Sequence, residues 1–367
     1  MKKKIQICGV VAIACLWLGL SAFAWLKSPR EISDTERRKL SQFPAVTTQN
    51  VFSGKFMTAF EDYTLDQFPL RDTFRQIKAL FHYNVLRQGD NNDIYIAQGY
   101  AAQLEYPFRE DSADYAIGKF NEIYETYLKD SGSKITFAVV PDKGYYLAER
   151  NGYPAMDYEA MFTSLEEGLP WATFVDLTKD LSAEDYYRTD THWRQEKLMD
   201  VAKRLCAALG TMEPMEGDFT PVAMEKPFYG VYYGQAALPM EPETLYVMES
   251  DWLKDCTVTN FETGAVTTVY DMEKVEGKDL YEVFLSGSVS LLQIDNPHGS
   301  SDRELIVFRD SFGSSILPLI IKDYKTVTVV DTRYLPGATV GRFVEFHGQD
   351  VLFLYSTLVL NNSTTLK

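Results

Sequence analysis

The apolar positions of the chain change their period along its length, and each change predicts a different kind of element. From Ile5 to Leu26 there are twenty-two positions without a formal charge, behind Lys2, Lys3 and Lys4. A helix of that length rises about 33 Å, enough for a hydrocarbon core of about 30 Å. The three lysines place the N-terminus in the cytoplasm and everything after Lys27 outside. Ala22-Phe23-Ala24 also offers the small-x-small pattern of a cleavable signal peptide. The long span favours an uncleaved anchor, because the apolar stretch of a signal peptide is usually about 7–15 residues. Either way, residues 30–367 are expected outside the cytoplasm.

Beyond the span, residues 30–90 read as helical. Phe52, Phe56, Phe60 and Tyr63, then Phe74, Ile77, Leu80 and Phe81, recur at spacings of three and four. Asp66-Gln-Phe-Pro-Leu-Arg-Asp72 interrupts them, since a proline disfavours helix at the residue before it. A short strand is predicted at 93–96 and an amphipathic helix over 112–130, with Tyr115, Phe120, Ile123, Tyr124 and Tyr127 near one stripe.

After residue 130 the pattern alternates. Lys134–Val140 is a near-continuous apolar run ending at Pro141, as expected of a strand buried on both faces. Runs of the same kind lie at 171–177, 304–308, 326–331 and 350–355, with helices predicted at 194–209 and 313–322. Strands alternating with helices predict a parallel α/β sheet. Residues 211–300 break the alternation with aromatics, glycines and short β-type runs at 245–248, 256–261 and 265–270. They read as an insertion covering one end of the sheet. The expected organisation is an anchor or signal peptide at 1–28, a helical region at 29–110, and an α/β domain at 111–367 carrying the insertion at about 211–300.

Composition narrows the possible functions. The chain has 367 residues, 46% of them hydrophobic, and 36 basic against 52 acidic side chains, a net charge of −16. It is core-forming rather than disordered, and its acidity excludes the phosphate-neutralising surface of a nucleic-acid binder. Without Lys2, Lys3 and Lys4 the balance is 33 against 52, or −19. Such a charge favours a neutral or weakly charged polymer over an anionic one. Cys8 and Cys15 lie in the span, leaving Cys206 and Cys256 able to form one disulfide in an oxidising compartment but no framework and no zinc-type spacing.

In open α/β sheets ligands bind beyond the carboxyl ends of the strands. Two loops there carry chemistry: Thr189-Asp190-Thr191-His192-Trp193 and Arg309-Asp310-Ser311-Phe312-Gly313. A serine nucleophile needs a base, and the base needs a carboxylate that fixes its tautomer. Ser311, His192 and Asp190 supply those three roles, provided that a turn lets residues 190 and 192 face each other. Ser311 falls at a strand-to-helix turn, where its own N–H can face a developing oxyanion. The structural alternatives are that Asp190 or Thr191 caps one helix and Asp310 or Ser311 the next. Asp190 and His192 have no third ligand at a recognisable spacing, so no metal site is expected. His82, His298 and His347 lack a carboxylate at a spacing that suggests a catalytic pair.

These stretches also carry a resemblance. Glu36-Arg-Arg-Lys-Leu-Ser-Gln-Phe-Pro44, Asp66–Asp72, Val140-Pro-Asp-Lys143, Thr189–Trp193, Asp310-Ser-Phe312 and Asp331-Thr-Arg-Tyr334 resemble the DHHW family, related to the alginate O-acetyltransferase (SGNH-hydrolase-like) proteins. The resemblance implies an SGNH/flavodoxin-like three-layer fold with a parallel sheet, an N-terminal helical region, a β-rich insertion and an N-terminal membrane helix. It assigns Asp190, His192 and Ser311 as a catalytic triad and implies no cofactor. It further implies an acetyl transfer through an acyl-serine to a cell-surface or secreted polysaccharide, with a membrane-bound O-acyltransferase partner as donor. A carbohydrate esterase with the same triad, or a non-catalytic surface protein binding wall polymers, are the other readings. The chain departs from the family at Thr191, where the DHHW pattern has His, and at Arg309, where the SGNH block has Gly. Gly287, Arg333 and Tyr334 are candidate oxyanion or substrate-binding residues.

Overall fold

The computed structural model describes residues 2–299 and 302–367. Two compact units emerge: residues 1–91 with 233–239, and residues 92–232 with 240–367.

The first unit opens with the Lys2–Leu26 helix. Its Lys4–Leu26 part is long and apolar enough to cross a membrane. Helices follow at Thr48–Phe52, Lys55–Asp66 and Arg71–Asn84. The break around Pro69 lies where the sequence predicts it. The expectation of helix from residue 30 fails, because Ile32–Ser33 pairs antiparallel with Arg38–Lys39 and the chain stays irregular to Thr47. The cause is electrostatic: Arg38 donates to Asp66 at 2.9 and 2.6 Å, and the Ser41 N–H donates to the same carboxylate at 2.8 Å, which ties the segment across the unit.

The second unit is built on an eight-stranded sheet. Five strands are parallel neighbours in the order Thr326–Val330, Glu304–Arg309, Asp350–Ser356, Ile135–Val140 and Thr173–Asp176. Each was anticipated from an apolar run. All six residues of Ile135–Val140 are buried. One face of the sheet packs Ala138, Leu305, Val307, Leu352 and Leu354 against Val201 and Leu205 of the Met199–Leu209 helix and Ile316 and Ile320 of the Gly313–Ile320 helix. The other packs Phe137, Ile306, Phe308, Val351 and Phe353 against Phe120 and Ile123 of the Glu110–Ile123 helix and Met161 and Leu165 of the Tyr158–Gly168 helix. The period-two alternation of strand side chains thus feeds two cores, which makes the layers α/β/α.

The 211–300 segment also extends the sheet beyond Thr326–Val330, a pairing the sequence reading did not include. Leu291–Asp295, Thr257–Asn260 and Val266–Thr267 add in turn, all antiparallel. Thr220–Ala223 and Tyr246–Glu249 form a separate antiparallel pair. Cys206 and Cys256 are buried free thiols, pushed by burial up to about 11 and about 12 respectively.

Candidate active site

Ser311 follows the Glu304–Arg309 strand and precedes the Gly313–Ile320 helix. The turn is pinned by Asp310, whose Oδ1 accepts the Phe312 N–H at 3.0 Å and whose Oδ2 accepts the Ser356 N–H at 2.7 Å. Asp310 is therefore committed to the backbone of two adjacent strand ends, and Ser311 is left half-buried with its hydroxyl toward His192.

His192 and Asp190 sit in a loop closed by a bridge between Tyr186 and Trp193. Trp193 thus belongs to this loop rather than to the start of a helix. The next helical turn begins at Gln195 as a 3-10 segment, and the α-helix only at Met199. Asp190 is fully buried. Its Oδ1 accepts the His192 backbone N–H at 3.0 Å and lies 2.6 Å from His192 Nδ1. That turn lets residues two apart face each other. His192 Nε2 lies 2.8 Å from Ser311 Oγ. The carboxylate, imidazole and hydroxyl are thus joined by two hydrogen bonds of the length that proton transfer requires.

The loop is braced from several sides. Val231 N–H donates to Asp190 Oδ2 at 2.8 Å, and Tyr232 N–H donates to the Thr189 carbonyl at 3.0 Å. The Glu243 carboxylate accepts the Arg188 N–H at 2.8 Å, the Thr189 N–H at 2.9 Å and the Thr189 hydroxyl at 3.0 Å. Gly230 lies so close that a Cβ there would stand 2.3 Å from the Thr189 and Asp190 backbone. Thr191, the departure from the DHHW pattern, accepts the Tyr232 hydroxyl at 3.1 Å.

The imidazole itself is held by packing. The Tyr281 ring stacks on His192 with centroids 3.9 Å apart and planes 10° from parallel, and Phe312 lies 5.0 Å away on a tilt. The Tyr281 hydroxyl lies 2.8 Å from Ser315 Oγ, which accepts Trp193 Nε1 at 2.8 Å. Burial raises the Tyr281 phenol well above its ordinary value. Beneath the loop is Lys143, fully buried, which donates to the Ala101 carbonyl and, at 2.8 Å, to the Tyr187 carbonyl. Burial pushes its ammonium down to about 7, against the charges of Asp190, Glu243 and Asp142, which pull it up.

Three nominated residues lie elsewhere in this region. The Gly287 N–H donates to the Phe284 carbonyl at 3.1 Å, and its own carbonyl accepts Arg309 Nη2 at 3.3 Å. Arg333 forks onto Asp331 at 2.9 and 2.6 Å. Tyr334 is exposed, and its ring lies over the Arg333 guanidinium at 5.6 Å. Among the described residues, none of the three makes a hydrogen bond to Ser311 or His192. Arg309, where the SGNH block has glycine, is buried, with its Nη1 donating to the Asp310 carbonyl at 3.2 Å and lying 3.6 Å from Asp331. Burial lowers its pKa, and the Asp331 charge opposes that.

Of the bracing residues, Thr191 and Lys143 were named from sequence, neither with this role. Lys143 carried a readable signal, a charge pair directly after a buried strand. Tyr281, Gly230 and Glu243 carried none, because they lie in a segment without regular periodicity.

The α/β/α layers, with these polar groups beyond the carboxyl ends of the parallel strands, give the three-layer fold expected from the sequence. The DHHW protein family model matches residues 161–330, so the resemblance to the DHHW family read from the sequence is borne out over that segment. The chain is 25% identical over 228 residues to a protein of Pseudomonas syringae pv. tomato (strain ATCC BAA-871 / DC3000) named "Probable alginate O-acetylase AlgJ". That match covers 56% of this chain and 56% of the relative, so the chain spans about half the length of that protein. Among solved structures, a DHHW family protein from Eubacterium siraeum DSM 15702 superimposes with a TM-score of 0.60 at 23% identity, over 75% of this chain and 95% of that one. Bacillus cereus PatB1 with a sulfonyl adduct superimposes with a TM-score of 0.59 at 16% identity, over 73% and 95%. Both likenesses speak to the fold.

Proposed function

We propose that this protein is an SGNH-like serine acyltransferase that moves an acetyl group onto a cell-surface or secreted polysaccharide. The observation that carries the reading is the continuous hydrogen-bonded line from Asp190 through His192 to Ser311. The name of the P. syringae relative, an alginate O-acetylase, supports the acceptor class.

In the first half-reaction Ser311 Oγ attacks the carbonyl carbon of an acetyl ester while His192 Nε2 takes the hydroxyl proton. The Asp190 carboxylate keeps Nδ1 protonated and offsets the charge of the imidazolium. Collapse of the tetrahedral intermediate breaks the ester bond, and His192 returns the proton to the leaving alcohol. In the second half-reaction a sugar hydroxyl attacks the acetyl-serine, gives its proton to His192, and Ser311 recovers that proton as it leaves. The Ser311 N–H, just ahead of the Gly313–Ile320 helix, is the donor this reading assigns to the developing oxyanion.

The rest of the reading follows from the chain's organisation: a membrane anchor at 1–28, a helical region at 29–110 and the catalytic domain at 111–367, held outside the cytoplasm. In this reading a membrane-bound O-acyltransferase partner, as the family resemblance implies, supplies the acetyl donor outside the cytoplasm. Cleavage of the leader would instead release a secreted enzyme. Because Ser311 is half-exposed, water can compete with the sugar, and an esterase is the second reading.

The test is to incubate the full chain with an activated acetyl ester and neutral or anionic oligosaccharides, and to follow acetylated product by mass spectrometry. Product formation that disappears in Ser311→Ala supports transfer. Ester cleavage without acetylated sugar supports the esterase, and no Ser311-dependent turnover at all contradicts the enzyme reading.

A further inference from the structure

The Arg71–Asn84 helix of the first unit is inverted relative to a helix of a water-soluble domain. Leu70, Phe74, Ile77, Phe81 and Val85 recur at spacings of four, three, four and four, which puts them on one stripe about 22 Å long. All five are exposed, between 44% and 63%. The face turned inward is charged or small: Ala79 is fully buried, and the side chains of Arg71 and Arg75 are 14% and 18% exposed. Both arginines pair with Glu36, and Arg71 also reaches Asp66 at 3.3 Å. The Glu36–Pro44 and Asp66–Asp72 stretches, which carry no catalytic group, thus build the ionic network that turns the arginines in and leaves the apolar stripe out. Phe52 extends the exposed apolar surface on the first of the preceding helices.

Two observations identify what covers this stripe. The first is its position. A cavity of about 340 Å³ is lined jointly by Phe23 and Lys27 at the end of the apolar span and by Phe68, Leu70 and Thr73. The stripe therefore starts where the span ends, at the depth of a membrane surface. The second is charge. Residues 27–91 carry 10 basic against 8 acidic side chains, whereas residues 92–367 carry 23 against 44. Lys55, Lys78 and Arg87 are exposed in the same unit, the composition expected of a helix lying in the headgroup region.

We propose that the Arg71–Asn84 helix is an interfacial membrane helix, with the Leu70–Phe74–Ile77–Phe81–Val85 stripe immersed in the lipid next to the point where the span leaves the bilayer. The proposal rests on the reading of residues 4–26 as a retained anchor. It makes the first unit a membrane-seated collar rather than a flexible tether.

The test uses the full chain, one copy per nanodisc, in a phosphatidylcholine and phosphatidylglycerol bilayer. Cys206 and Cys256 are buried with raised pKa values, so they do not label. In a Cys8→Ala, Cys15→Ala background, nitroxides are placed through Ile77→Cys, Phe81→Cys and, as an aqueous control, Glu61→Cys. A separate chain labelled at native Cys15 reports the anchor. Power saturation compares accessibility to oxygen, which concentrates in lipid, and to a water-soluble nickel chelate. The proposal predicts that the labels at 77 and 81 favour oxygen several-fold relative to the label at 61. Nickel accessibility at 77 and 81 equal to that at 61 overturns it. Exclusion of both reagents also overturns it, because that result places protein, not lipid, on the stripe. An aqueous reading at Cys15 instead rejects the anchor, independently of the other labels.

Discussion

His192 and Tyr281 stack face to face, with ring centroids 3.9 Å apart. Asp190 fixes the imidazole edge, and Tyr281 fixes its plane. Replacing Tyr281 by Ala frees the ring to rotate away from Ser311. Turnover is expected to fall about 10²-fold, the cost of misplacing a catalytic group by about 1 Å. Tyr281→Phe keeps the stack and loses only the bond to Ser315, a cost of about 1 kcal/mol in stability. Ester turnover and thermal unfolding of the two variants separate these effects.

Asp190 accepts from His192 through both the ring and the backbone. Asp190→Asn presents an amide with the wrong tautomer preference for a general base. Acyl release is predicted to fall about 10³–10⁴-fold, in line with removal of the orienting carboxylate in serine triads. Stability should drop less than with Asp190→Ala, because the amide oxygen still accepts the Val231 N–H. Steady-state turnover and denaturant melts measure the two together.

Gly230 is required by contact, not by backbone conformation. A methyl group there meets the Thr189 and Asp190 backbone at 2.3 Å, and backbone cannot swing aside as a side chain can. Gly230→Ala should cost about 1–3 kcal/mol by overpacking. It should also lower turnover, because the displaced loop carries Asp190. A variant with unchanged turnover would show that the brace is dispensable.

Lys143 gives a pH signature. Its buried ammonium has a pKa of about 7 in the folded chain, against 10.5 ordinarily. Between those values the unfolded chain binds a proton that the folded chain does not, so this group makes stability rise with pH across the window. Below about pH 7 both states are protonated and the contribution is flat. Lys143→Met should abolish the rise, so the stability gap between wild type and variant widens from pH 7 to pH 10. Parallel profiles in urea melts would contradict the assignment.

Strong periodicity explains what could be read from the sequence. The three central parallel strands, Glu304–Arg309, Asp350–Ser356 and Ile135–Val140, were legible because burial on both faces makes each a near-continuous apolar run. Thr257–Asn260 and Val266–Thr267 were legible as short β-type runs, but their antiparallel addition to the main sheet through Leu291–Asp295 was not, because short strands in an aromatic-rich stretch do not encode their partners. Ile32–Lys39 was misread as helix because its conformation is set by Asp66, a partner 28 residues beyond Arg38. At the site, Asp190, His192 and Ser311 could be named from residue type and strand-end position. Their approach to 2.6 and 2.8 Å depends on the Asp190 turn and on Val231, Glu243 and Tyr281, contacts that no local pattern encodes. The inverted Arg71–Asn84 helix shows the reverse limit: its apolar stripe was visible in the sequence, but which way it faces was not.

The central claim is that Ser311 carries the acetyl group. The most direct measurement is peptide mass spectrometry of the full chain quenched in acid within the first turnovers of an activated acetyl ester. The account predicts an acetyl adduct on the peptide containing Ser311, accumulating in a burst, absent from Ser311→Ala and His192→Ala, and discharged when an oligosaccharide acceptor is added. Turnover that persists in Ser311→Ala, or an adduct found only on another residue, would contradict it.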